Sequence, residues 1–169
     1  MTNKQGANPL LSAIQANNLK LVRKRLAGGD KPNDEIIFYA FKNEKGEAFP
    51  ICQILIEKGA NIYAEDKGSS LLCLAAERGE VELVNLLLEE EEKQSTSHLL
   101  RQYGQTAFVK AVESQNWDVA QLLLEKDESL EEALGLLDEG TIQQIEEEAR
   151  GLYNQLFEKQ NALIQRCSF

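Results

Sequence analysis

The sequence predicts an all-α solenoid of stacked helix-turn-helix units, closed by a C-terminal capping helix or helix pair. One such unit lies at residues 66–89, where two short apolar blocks at helical spacing flank Gly79. The pattern recurs, because Gly104 follows Gly68 by 36 residues and a leucine triplet follows each glycine at the same distance. Each block is too short to be a stable helix alone, so we expect the copies to bury their apolar faces against one another.

The first copy covers about residues 5–30. Asn8 followed by Pro9 is the expected start of a helix, with a capping residue before a proline. The second helix of this copy carries the one local basic cluster of the chain, Lys20, Arg23, Lys24 and Arg25. We interpret the cluster as the solvated face of the terminal repeat, with a functional basic patch as the alternative.

The second copy, about residues 31–62, is the least regular. Polar residues 44–47 interrupt the turn between its helices and predict a surface loop, after which Phe49-Pro50 restarts the second helix. The third copy covers about residues 66–92 and ends in Glu89-Glu90-Glu91-Glu92. Four glutamates at a helix C-terminus oppose the helix dipole, so we expect a solvated end that frays, with an acidic contact loop as the alternative.

The fourth copy covers about residues 102–128. Its Gly104 takes the place of Gly68 as a turn glycine, which puts Tyr103 at the tip of a loop. Trp117 takes the place that Val81 fills in the third copy, at the apolar start of the second helix. We therefore expect Trp117 to pack in the core or between repeats and not to stack on a ligand.

Residues 129–169 form the predicted helical cap, in the same folding unit as the repeats of residues 1–128. Ser129 and Glu132 have capping-box spacing. Thr141 is then expected to cap a segment whose apolar stripe comprises Ile142, Ile145, Ala149, Leu152, Leu156 and Leu163, widened by Tyr153, Phe157 and Ile164. The segment is either one helix or, broken at Gly151, a degenerate fifth pair. Capping the open solenoid is the default role, and a dimerising seam is the alternative.

At these residues the chain resembles the ankyrin repeat family, over about residues 5–127. The best matches are Gly68-Ser-Ser-Leu-Leu-Cys-Leu-Ala-Ala and Leu55-Ile-Glu-Lys-Gly-Ala-Asn, the latter similar to the LLEKGAD ending of the family. The histidine of the family's TPLH-like opening is absent from every copy. The resemblance implies the fold, while the hydrogen bonds between neighbouring loops are expected to differ.

In the ankyrin family, partners dock on a concave face made by loop tips and first-helix positions. The resemblance implies that this face comprises Lys31, Asp34, Lys42, Asn43, Asp66, Lys67, Ser69, Glu77, Arg78, Tyr103, Gln105, Lys110, Glu113 and Ser114. Tyr103 beside Arg78 has the composition of an interface hot spot. The alternative is that Tyr103 packs on Leu99 and Leu100.

Composition excludes several classes of partner. The net charge of −10 and a pI near 4.7 argue against nucleic acid, since phosphate binding needs clustered Lys and Arg, and favour a protein partner with a basic surface. No run of 18 apolar residues is present, so we expect no membrane span. The first residues lack a long apolar segment, and Cys52, Cys73 and Cys167 lack a paired spacing. We therefore expect no secretory signal, and reduced cysteines in the cytoplasm.

No residue pattern indicates catalysis. The sequence contains no Gly-rich phosphate loop, no nucleophile elbow and no Cys and His pair with an orienting residue, and His98 is its one histidine. We predict a non-catalytic, monomeric protein-protein interaction module, an adaptor, scaffold or inhibitor, that needs no cofactor or metal. Two alternatives are a scaffold that self-associates through residues 141–167 and a bacterial effector that acts on a host protein in the host cytosol.

Overall fold

The computed structural model describes residues 8–43, 48–94, 98–126 and 135–167, with the side chains at 162, 163, 166 and 167 left out. The predicted loop at 44–47 and the capping-box residues 129–132 lie outside this set. Within it the chain is helical apart from one short hairpin, which confirms the predicted all-α repeat solenoid. The residues divide into two compact units, Met1–Leu71 and Leu72–Phe169, and each is described by itself.

Unit 1 contains two helix pairs followed by a hairpin. Its elements are α1 (Pro9–Gln15), α2 (Leu19–Ala27), α3 (Asp34–Lys42), α4 (Ala48–Glu57), β1 (Glu65–Asp66) and β2 (Ser69–Ser70). Within a pair, α1 packs on α2 and α3 packs on α4. Between pairs, the first helices α1 and α3 contact each other, as do the second helices α2 and α4. The helices thus stack like with like.

Asparagine side chains start three of these helices. The Oδ1 atoms of Asn8, Asn18 and Asn33 each accept a backbone N–H from the first turn that follows, and Pro9 stands at the first helical position of α1. The sequence had predicted the first of these caps. The hairpin between β1 and β2 turns at Lys67 and Gly68, whose φ angles of 54° and 80° are those of a type I′ turn.

Unit 2 is also built from helix pairs. Its elements are α5 (Leu71–Arg78), α6 (Val81–Lys93), α7 (His98–Glu113), α8 (Trp117–Lys126), α9 (Glu139–Glu148) and α10 (Arg150–Cys167). The first helices α7 and α9 pack together, and the second helices α6, α8 and α10 pack in that order. The last two helices therefore stack on α7 and α8 as a further pair.

The break between α9 and α10 lies at Ala149, whose backbone leaves the helical region, and not at Gly151 as the sequence suggested. Thr141 does not cap α9. Asp138 does, by accepting the N–H of Thr141 at 2.8 Å, and this hydrogen bond holds the pKa of the Asp138 carboxyl below its usual range. Thr141 was a plausible cap by sequence, but α9 already begins at Glu139, so Thr141 lies inside its first turn.

One turn geometry ends the first helix of three pairs. Asn17, Gly79 and Gln115 occupy equivalent positions with φ angles of 49°, 74° and 59°, and the residue after each donates its N–H to a carbonyl of the last helical turn. This is the Schellman motif, in which one residue adopts the left-handed conformation. The same motif recurs at Gly29 and Gly59, at the ends of second helices.

The segment before the fourth repeat differs from the prediction. Helix α6 continues through Glu89–Glu92, and Glu91 is buried at 3% exposure, with its carboxylate accepting the backbone N–H of Leu99. A solvated, frayed end was therefore the wrong expectation for Glu91. Helix α7 begins at His98, and this carboxylate therefore satisfies a backbone N–H in its first turn.

Tyr103 consequently lies inside α7 and not at a loop tip, which corrects the sequence-based placement. Gly104 is buried within the same helix, so its role is that of a small residue and not of a turn residue. Trp117 is half-buried at the start of α8, where it lines a cavity of about 200 Å³ together with Val81. These are the equivalent residues of successive pairs, in keeping with packing between repeats.

Candidate functional site

Unit 1 carries a cleft along the first helix of its second pair. The cleft has a volume of about 340 Å³, and we call it the α3 cleft. Its lining comes from α3 and β1 and comprises Asp34, Glu35, Phe38, Tyr39, Lys42, Glu65 and Asp66. Three of these, Asp34, Lys42 and Asp66, are among the residues that the sequence assigned to the binding face.

An ion pair closes one end of the α3 cleft. The Lys42 ammonium donates a hydrogen bond to the Asp66 carboxylate and also lies 5.9 Å from the centroid of the Phe38 ring. The hydrogen bond from Lys42 holds the pKa of the Asp66 carboxyl below its usual range, and the nearby charge of Lys67 acts in the same direction. Asp66 is therefore ionised at neutral pH.

Tyr39 is an exposed aromatic side chain in this cleft. Its exposed fraction is 39%, whereas its neighbour Phe38 is buried at 4% exposure. Glu35 precedes Tyr39 by four residues on α3, so the carboxylate and the ring are neighbours on one helix face. Neither residue was predicted, because the α3 segment was interpreted mainly as an apolar block, although the four-residue spacing of Glu35 and Tyr39 is visible in the sequence.

Unit 2 carries a comparable cleft along α7. This α7 cleft has a volume of about 390 Å³ and is lined by Gln105, Thr106, Val109, Lys110, Glu113 and Leu136. Gln105, Lys110 and Glu113 were predicted to belong to the binding face. Leu136, which is 45% exposed, was not, because its position after the α8 helix follows no repeat spacing.

A second ion pair holds the α7 cleft to the preceding helix pair. Lys110 Nζ donates to Glu77 Oε2 at 2.9 Å, so the two residues that the sequence placed on one face do meet. This hydrogen bond raises the pKa of Lys110 above its ordinary value. Glu77 thereby fixes the direction of one charged group in the cleft wall.

Asn43, which was predicted to lie on the binding face, contacts the preceding helix pair. It is half-buried at the end of α3, and its Nδ2 donates to the backbone oxygen of Ile14 at 3.1 Å. Lys31 and Lys67 are exposed, and Ser69 is half-buried in β2. None of these four residues lines the α3 cleft.

Tyr103 and Arg78 do not line the α7 cleft, and neither does Ser114. Tyr103 is half-buried, and its backbone oxygen accepts a weak hydrogen bond from the Cys73 thiol at 3.9 Å. Arg78 is exposed at the last position of α5. The hot spot formed by Tyr103 and Arg78 therefore loses its structural premise, an aromatic ring at a loop tip, while its contribution to binding stays a prediction.

Asn116 also links these two helix pairs, through backbone groups near the C-terminal end of α5. Its Nδ2 donates to the backbone oxygens of Ala76 and Glu77, each at 2.9 Å. Asn43 makes the equivalent contact in unit 1, since Ile14 and Ala76 stand at matching positions. Sequence analysis expected altered hydrogen bonds between loops where the histidine is missing, and these asparagine links were not foreseen.

Among the described residues, no group of three or more His, Cys, Asp or Glu side chains could hold a metal ion. Cys52 and Cys73 are buried thiols. No helix in the described ranges is long and apolar enough to cross a membrane.

Comparison with known protein families gives one match. A family model described as "Ankyrin repeats (3 copies)" matches residues 37–132. The matched range runs from within α3 to beyond α8, so it includes most of the residues of both clefts and more than half of the chain. No curated protein matches the chain.

Proposed function

The chain belongs to the ankyrin repeat family, and from this premise we propose that it is a non-catalytic protein-binding module that docks its partner along the first helices of its repeats. Ankyrin repeats indicate a protein-protein interaction module. Six of the predicted residues line the α3 cleft or the α7 cleft, and we propose these as partner contacts: Asp34, Lys42, Asp66, Gln105, Lys110 and Glu113.

The observation that carries the proposal is the location of exposed apolar side chains. Four large hydrophobic residues of the described chain are exposed: Tyr39, Leu136, Phe157 and Ile164. The first two each line one of the clefts. Large apolar side chains surrounded by polar groups are typical of interaction surfaces, because their burial supplies the binding energy and the polar rim supplies specificity.

Affinity capture with three matched baits tests the proposal. The baits are the wild-type protein, a cleft variant Tyr39→Ser with Leu136→Ser, and a control variant Phe157→Ser that changes an exposed aromatic on α10. We expect a protein bound by the wild type and the control to be lost from the cleft variant. Equal recovery with the cleft variant would contradict docking on these helices.

The other two exposed residues favour a second candidate, self-association through α10. Phe157 is 50% exposed and Ile164 is 57% exposed, and the Phe157 ring stacks on Tyr153 with centroids 6.2 Å apart. Leu152 and Leu156 are buried on the inner side of the same helix, at 1% exposure each. The apolar stripe thus has a buried inner half and an exposed outer half, and the outer half is the candidate surface for self-association.

We propose that capping dominates and that the protein is a monomer, since the inner half of the stripe is already buried. Sedimentation at micromolar concentration decides between the two candidates. A dimer that Phe157→Ser dissociates would establish the self-association surface. Leu156→Glu is unsuitable for this test, although the sequence suggested it, because Leu156 is buried and its replacement would disrupt the fold.

We also propose a reducing compartment, the cytoplasm, as the location of the protein. The buried thiols of Cys52 and Cys73 support it, because proteins of reducing compartments keep their cysteines as thiols.

A further inference from the structure

Most of the side chains that line the α3 cleft are acidic. Four of its seven side chains are carboxylates and one is an ammonium, so its formal charge is −3. The single cation, Lys42, is engaged with Asp66. Asp34 and Glu35 add two further carboxylates from α3 and Glu65 adds one from β1, and Lys67 at the hairpin turn lies outside the lining.

Glu35 and Tyr39 form the part of this lining that can discriminate between cations. They lie one turn apart on α3, both exposed, so a flat group placed over the Tyr39 ring is within reach of the Glu35 carboxylate. A guanidinium suits this arrangement, since it stacks on aromatic faces through its plane and pairs with carboxylates through its edge. An ammonium can make one contact at a time and is more strongly hydrated.

Strand β1 supplies a further carboxylate to the lining. Glu65 belongs to β1, and the pairing of β1 with β2 fixes the backbone that carries it. The volume of about 340 Å³ is within the range of roughly 300 to 1,000 Å³ typical of ligand pockets. A side chain that enters the cleft would therefore meet carboxylates from two separate elements.

We propose that the α3 cleft receives an arginine side chain from an exposed segment of the partner protein, with the guanidinium stacked on Tyr39 and paired with Glu35. This rests on the proposed function and adds to it the chemistry of the partner. The overall charge of −10 favours basic partners in general, whereas the cleft places the recognition on named residues.

A random peptide library displayed on phage and selected against the wild-type protein tests the inference without knowledge of the partner. We expect the selected peptides to share an arginine. Synthetic versions with arginine, lysine or citrulline at that position then separate guanidinium recognition from general charge attraction. The citrulline peptide, a neutral isostere, should bind about tenfold more weakly or worse.

Variants of the protein locate the site. Tyr39→Leu removes the aromatic face but keeps apolar bulk, and Glu35→Gln removes one charge; each should weaken the arginine peptide roughly two- to fivefold. Glu82→Gln, an exposed charge on α6, is the matched control and should leave affinity unchanged. Selection of no peptide, selection without arginine, equal affinity of the lysine or citrulline version, or equal loss with the control would each overturn the inference.

The two proposals fail separately. If the peptide test is negative but partner capture still depends on Tyr39 and Leu136, the protein-binding function stands and arginine recognition does not. If the arginine peptide binds through Glu35 but captured proteins ignore both clefts, the guanidinium site stands and the docking surface lies elsewhere.

Discussion

Gly79 and Asn116 should be energetically coupled. Gly79 has a φ of 74°, and a Cβ atom built there would lie 2.5 Å from Asn116 Oδ1. Gly79→Ala should therefore lower the free energy of unfolding in two ways. A residue with a side chain in the left-handed conformation costs about 1–2 kcal/mol. The new Cβ atom also displaces the Asn116 amide from its two acceptor oxygens. Loss of such hydrogen bonds typically costs about 1–3 kcal/mol when the acceptors remain part-buried.

A double-mutant cycle measures this coupling by chemical denaturation, followed by far-ultraviolet circular dichroism. Asn116→Ala alone should cost about 1–3 kcal/mol of unfolding free energy. In that background, Gly79→Ala has nothing left to displace, so the double variant should be more stable than the sum of single effects by about 1 kcal/mol or more.

Gly59→Ala is the matched control for backbone strain. Gly59 has a φ of 84° in the same turn motif, but a Cβ atom there would have no neighbour within 4 Å. We expect its cost to be about 1–2 kcal/mol and to be additive with Asn116→Ala. If the unfolding free-energy costs of Gly79→Ala and Asn116→Ala add to within about 0.3 kcal/mol, a side chain at position 79 does not displace the Asn116 amide, and the predicted coupling is refuted.

Three further predictions concern the cap, a buried carboxylate and an ion pair. Leu156→Ala should lower the unfolding free energy by about 2–5 kcal/mol and Phe157→Ala by less than about 1 kcal/mol, because only the first side chain is buried; similar losses would contradict the assigned faces. Glu91→Ala should lower the unfolding free energy by about 1–3 kcal/mol, and Glu91→Gln by less, since the amide keeps an oxygen that can accept the N–H of Leu99. Equal losses of the two variants in chemical denaturation would argue against this hydrogen bond. The folded-state pKa of Asp66 is lowered, so the stability that it contributes is present above its unfolded value of about 3.9 and lost as the pH falls through the folded value. Between neutral pH and about pH 2, the melting temperature of Lys42→Met should fall less steeply than that of the wild type. If the two profiles are the same, the pair of Lys42 and Asp66 does not cause the loss of stability in acid.

The sequence predicted features whose chemistry is local and repeated. Apolar spacing marked the helix pairs, and the Asn8-Pro9 sequence marked the start of α1, because a cap depends on a few neighbouring residues. The prediction of a turn at Gly104 was wrong, since a glycine is compatible with a turn and also with a buried helical position. The carboxylate that accepts an N–H from the first turn of α7 belongs to Glu91, and nothing in a run of four glutamates indicates which carboxylate is buried.

The candidate site was recovered only in part for a related reason. The family positions gave Asp34, Lys42 and Asp66 of the α3 cleft and Gln105, Lys110 and Glu113 of the α7 cleft, because these positions recur with the repeat, but they did not give Glu35. Leu136 and Glu65 reach the clefts through a connecting segment and a hairpin, and their approach depends on chain paths that repeat spacing does not encode. The link from Asn43 to the preceding pair was not predicted, because an amide at a helix end serves equally well as a surface contact or as such a link.

The links between successive pairs also bear on how the chain reaches its native state. Asn43 and Ile14 are 29 residues apart, Lys110 and Glu77 are 33 apart, and the widest link, from Asn116 to Ala76, spans 40. Loop closure over such distances costs little extra entropy, and chains dominated by short-range pairing fold rapidly. We expect a nucleus to form within one helix pair and growth to add one neighbour at a time. Substitutions in the last pair should then accelerate unfolding while leaving the refolding rate nearly unchanged.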